Sequence, residues 1–118
     1  MKNSKNGLFV ADPNINIFLF LFACLFSSFA FASSHLVKMN SISYEPRKLE
    51  IKIGDSVQWQ NGAYTEHSAT AEDAATLDTG LIAPQKKSKV ILFSKVGNYK
   101  YHCSLHGKTM NGEVNVTK

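Results

Sequence analysis

Gly97-Asn98-Tyr99-Lys100-Tyr101-His102-Cys103-Ser104-Leu105-His106-Gly107-Lys108-Thr109-Met110-Asn111-Gly112 begins in alternation and ends in metal donors. Tyr99, Tyr101 and Cys103 share one face of a strand, with Lys100 and His102 on the other. Gly97-Asn98 and Asn111-Gly112 read as the turns that bound the segment. The loop after the strand carries a thiolate, an imidazole and a thioether at Cys103, His106 and Met110. A second imidazole, His67, lies upstream. Two His, one Cys and one weak axial Met are the donors of a copper electron-transfer centre. Sulfur favours Cu(I) and imidazole suits both oxidation states, so a compromise geometry lets the ion change charge with little movement.

Taken singly, each residue has a bland reading. His67 or His106 could face solvent, Cys103 could be a small buried apolar group, and Met110 could be core filler. Together they resemble the cupredoxins, in particular the small plastocyanin-, pseudoazurin- and amicyanin-like proteins. The resemblance implies an all-β Greek-key β-sandwich with one type 1 copper at one end. By position, His67, Cys103, His106 and Met110 are its metal ligands. The loop reads C-x2-H-x3-M, whereas amicyanins have two residues before the Met and plastocyanins four. Leu105 stands where plastocyanin loops usually carry Pro, so its backbone N–H is expected to donate to the Cys103 sulfur. The implied function is single-electron transfer between redox proteins such as a cytochrome, an oxidase or a dehydrogenase. A copper carrier or copper-stress protein is the alternative from another class.

Other chemistries find little in the chain. There is no G-x-S-x-G and no H-E-x-x-H, and Glu72, Asp73 and Asp78 read as a solvated loop cluster. Structural zinc prefers four strong ligands, and a thioether is a poor one. The protein is read as a non-enzyme.

Lys2 and Lys5 precede an apolar run from Ile15 to Ala32 that holds most of the chain's eight Phe. It ends in Ala30-Phe31-Ala32, a small-x-small cleavage pattern. Residues 1–32 are therefore read as a signal peptide and 33–118 as one domain, periplasmic and free of the membrane once cut. That domain has 11 Lys and Arg against 8 Asp and Glu. The excess is small and dispersed, which argues against nucleic acid. Cys103 is its only cysteine, so no internal disulfide forms and a monomer is expected. The cut would leave Ser33-Ser34-His35 at the terminus, a pattern that could wrap a second Cu(II) in nitrogen donors.

Upstream, Leu49, Ile51 and Ile53 alternate with Glu50 and Lys52, and Val57 and Trp59 follow the Gly54-Asp55 turn. Further strands are expected at 67–71, 90–93 and around Val114 and Val116. Residues 71–80 read as a loop or one helical turn. Tyr99 is a candidate for a hydroxyl bond across the sandwich.

Overall fold

Strict alternation builds the sheets. Val37 and Met39 point inward from β1 (Ser34–Met39), and Val57 and Trp59 from β4 (Ser56–Asn61). Opposite them stand Ile51 on β3 (Lys48–Lys52), Tyr101 and Cys103 on β7 (Gly97–Cys103), and Met110, Val114 and Val116 on β8 (Gly107–Thr117). Three two-residue strands complete the set: β2 (Tyr44–Glu45), β5 (Thr70–Ala71) and β6 (Ile91–Leu92). The computed structural model describes residues 31–118. The expected signal peptide therefore lies almost wholly outside the described residues.

One sheet has the order β2-β1-β4-β6 and the other β3-β8-β7-β5. β1 runs parallel to β4 and β3 parallel to β8, while the remaining pairs are antiparallel. Parallel neighbours cannot be joined by tight hairpins, so the chain crosses between sheets, as the expected Greek-key sandwich requires. The core between the sheets is continuous, and each fully buried aliphatic side chain contributes about 1.5–3 kcal/mol relative to exposure.

Several local expectations are corrected. Gly97 and Asn98 are not a turn; they open β7, opposite Val116 and Asn115. Asn111-Gly112 does not turn the chain either, since β8 runs straight through it and Gly112 pairs with Tyr101. Gly112 is there for clearance. A Cβ at this position would lie 2.6 Å from the Tyr101 hydroxyl and 3.0 Å from the Arg47 carbonyl oxygen. The strand expected from His67 shrinks to Thr70–Ala71, because the backbone before it bonds to the 77–82 loop. The strand expected at 90–93 is only Ile91–Leu92. No helix occurs among the described residues, and Asp73 caps a simple turn at 73–76. The Tyr99 hydroxyl donates to the Lys95 carbonyl at 2.9 Å, a local tie and not one across the sandwich.

Gly112→Ala is expected to lower stability by about 1–3 kcal/mol through overpacking against Tyr101. Urea denaturation checks this. A midpoint equal to that of the unmodified protein would show that the Tyr101 ring moves aside freely.

Candidate metal centre

His67 is held before its ring is considered. Its N–H donates to the Ile82 carbonyl at 3.3 Å, and the Ile82 N–H returns a bond at 2.7 Å. The chain leading to it is pinned by Asn61, which is fully buried. The Asn61 side-chain amide donates to the Thr65 and Ile82 carbonyls at 2.8 and 2.9 Å, and its Oδ1 accepts from the Ala63 N–H at 2.9 Å. An amide with all these groups satisfied fixes the path of the 61–67 loop.

Cys103 ends β7, and residues 104–106 turn the chain into β8. Gly107 completes the reversal at φ 62°, where a side chain would be strained. Thr109 Oγ1 donates to the His106 carbonyl at 2.6 Å and closes the loop. Met110 then points inward from β8 and is fully buried.

The structure brings His67, Cys103 and His106 together, with one donor atom from each lying within 4.8 Å of the others. Cys103 Sγ is 3.7 Å from His67 Nδ1 and 3.4 Å from His106 Nδ1. Metal bonds of about 2.0–2.3 Å at angles of about 100–120° place donors about 3.3–3.8 Å apart. Both sulfur–nitrogen spacings therefore fit donors that share one small ion. His67 Nε2 lies 3.4 Å from Thr65 Oγ1. A proton on Nε2 can be donated there, which leaves the Nδ1 lone pair facing sulfur. Burial, followed by the nearby His106, pushes the His67 pKa down, so the ring is held neutral and ready to ligate. His67 and Cys103 are buried, while His106 is half-buried beside exposed Leu105.

Three positioning residues carried no recognisable sequence signal. The buried Ser68 hydroxyl accepts the Ser104 N–H at 2.9 Å and donates to Ser104 Oγ at 3.0 Å. It thus ties the His67 segment to the residue after the thiolate. The Tyr44 hydroxyl donates to the Ser68 carbonyl from the other sheet, and burial raises its pKa, with Cys103 adding to the shift. Asn61, the third, is the last residue of β4.

One expectation fails here. The Leu105 N–H makes no hydrogen bond to Cys103 Sγ among the described residues; the contacts to that sulfur are the two imidazoles. Ser33 and His35 are both bound to Asp55 in the uncut chain, the ring through Nε2 at 3.1 Å and the Ser33 N–H at 2.9 Å.

The family model described as a cupredoxin-like domain matches residues 15–116. Amicyanin of Paracoccus denitrificans is 30% identical over 82 residues, covering 67% of this chain and 62% of the amicyanin. The chain thus spans less than two thirds of that relative. A plastocyanin of Synechococcus sp. is 29% identical over 101 residues, covering 72% of this chain and 74% of the plastocyanin. Among solved structures, a purple cupredoxin from Nitrosopumilus maritimus matches with a TM-score of 0.62 at 23% identity. That match covers 70% of this chain and 99% of the other, and at this identity it shows the shared fold.

Ser68→Ala leaves the Ser104 N–H without its acceptor and is expected to cost about 1–3 kcal/mol. Hydrogen exchange of the metal-free protein checks it directly. Protection of the Ser104 amide should fall more than that of the Val57 amide in the opposite sheet; an equal fall at both would reduce Ser68 to a general packing residue.

Proposed function

This chain belongs to the cupredoxin-like family, and on that premise we propose that it is an exported single-electron carrier holding one copper through His67, Cys103, His106 and Met110. The observation that carries the reading is the cluster of Cys103 Sγ and two imidazole nitrogens, with sulfur–nitrogen spacings that fit one shared ion. Bound copper supplies the Cu(I)/Cu(II) couple.

The chain's own residues do the rest. The Cys103 thiolate would give the strongest donor, with the imidazoles of His67 and His106 beside it. Met110, buried on the neighbouring strand, offers a soft and weak fourth donor. Four protein donors leave no open position for a substrate, which supports a carrier and not an enzyme. His67, Cys103 and Met110 are fully buried, and the backbone bonds around His67 and β7–β8 resist movement when the charge changes. His106 is the ligand nearest solvent, so the short route for an electron runs through its ring to a partner seated near Leu105. Partners of this chemistry are other redox proteins, such as a cytochrome, oxidase or dehydrogenase. Periplasmic export follows from the N-terminal apolar run and its small-x-small end.

Copper-loaded protein is expected to show an intense visible thiolate-to-Cu(II) band and a reversible one-electron wave in voltammetry. Cys103→Ser should abolish the band, since a hydroxyl is a harder and poorer donor. Retention of the intense colour by Cys103→Ser would sink the ligand assignment. Ready loss of copper to an acceptor protein, without a reversible wave, would favour the copper-carrier alternative.

A further inference from the structure

At Ser33, just before β1 begins, one carboxylate gathers three donors. Asp55 Oδ1 accepts the Ser33 N–H at 2.9 Å. Asp55 Oδ2 accepts the Lys52 N–H at 3.0 Å and lies 3.1 Å from His35 Nε2. The Ser33 carbonyl accepts the Ser56 N–H at 3.0 Å, so Ser33 is fixed from both sides. Asp55 is only 6% exposed. The Ser33 N–H, then the Lys52 N–H and His35, hold its pKa down to about 2, so it stays ionised. Immediately upstream, Phe31 is 87% exposed and sits in the middle of Ala30-Phe31-Ala32. The compact unit starts at Ala32, and its buried core begins at Val37.

We propose that hydrolysis of the Ala32–Ser33 bond is a maturation step that completes this cluster, with Asp55 as the acceptor of the α-ammonium created at Ser33. Water adds across the amide, and the C–N bond breaks. Ala32 leaves as a carboxylate on the N-terminal fragment, and the Ser33 nitrogen takes up a proton to become an ammonium. The catalyst is a peptidase that reads small residues either side of one larger residue. Before the cut, Asp55 holds a neutral N–H at this position; afterwards it holds a charged donor on the same nitrogen, a stronger bond. His35 is the other titratable side chain on the carboxylate. The cut belongs to the export reading above, whereas the Asp55 contact rests on geometry, so the two can fail separately.

The contact is tested with two proteins of defined start, residues 33–118 and 32–118, each made both with Asp55 and with Asp55→Asn. All strands and the buried core lie within 33–118, so both fold as the same unit. In urea titrations near neutral pH, the protein starting at Ser33 is expected to have a folding equilibrium constant about threefold or more above that of the longer one. The gap should vanish in the Asp55→Asn pair. Equal stabilities, or an unchanged gap with Asp55→Asn, overturn the contact. NMR titration gives a second reading that holds even if Asp55→Asn does not fold. The Ser33 α-amine should titrate above its ordinary value of about 8, and a value at or below that overturns the pairing. A raised amine pKa contributes stability that is present in full below the unfolded value and disappears as pH rises through the folded one. The lowered Asp55 pKa contributes stability present above its ordinary 3.8 and lost as pH falls through about 2. Mass spectrometry of the full chain after export tests the cut, with a terminus at Ser33 expected and any other terminus overturning the maturation half.

Discussion

The ladder between β5 and β7 has its last pair at Thr70 and His102, before it reaches the donor atoms. Beyond that point the Ser68 hydroxyl takes over. It accepts the Ser104 N–H, and its carbonyl accepts the Tyr44 hydroxyl from the other sheet. A side chain thus continues the pairing where the backbone stops. Without it, the hydrogen-bond contact between the segment bearing His67 and the Cys103 turn among the described residues would be that of His67 with the Cys103 sulfur. That contact alone gives no reason for the two segments to hold their spacing in the absence of an ion.

The second constraint is the aromatic packing behind the thiolate. Tyr101, two residues before Cys103, meets Tyr44 edge-on at 4.7 Å between ring centroids and Trp59 at 5.5 Å. Such edge-to-face pairs add about 0.5–1.5 kcal/mol beyond the area they bury. The ring also needs the space that Gly112 leaves on β8. Packing and site are therefore neighbours: the ring that these contacts seat lies two residues before Cys103 on β7. Surface charge plays a much smaller part. The Lys108–Glu72 pair is mostly exposed, and such pairs contribute about 0–1 kcal/mol.

The two ends of the sandwich hold different chemistry. At one end, a sulfur and two imidazoles converge at Cys103. At Asp55, a carboxylate kept ionised gathers hard N–H donors and fixes the start of β1. The first arrangement suits a metal that changes oxidation state. The second suits a permanent structural tie.

What the sequence determined by itself were features that depend on side-chain identity and short spacing. Alternation placed Tyr99, Tyr101 and Cys103 on one face, and the donor types at 67, 103, 106 and 110 pointed to copper before any fold was known. Dipeptide signals were less informative. Asn111-Gly112 and Gly97-Asn98 look like turns, yet both lie inside strands, and Gly112 serves there to leave room for the Tyr101 ring. Only the tertiary structure decided which polar residues position the donors. Asn61, Ser68 and Tyr44 act on groups that are distant in sequence or belong to the backbone, and a backbone N–H or carbonyl leaves no mark in the amino-acid string. Nothing local distinguishes a serine that clasps two loops from one that faces water; the folded chain makes that distinction by bringing Ser104 to Ser68.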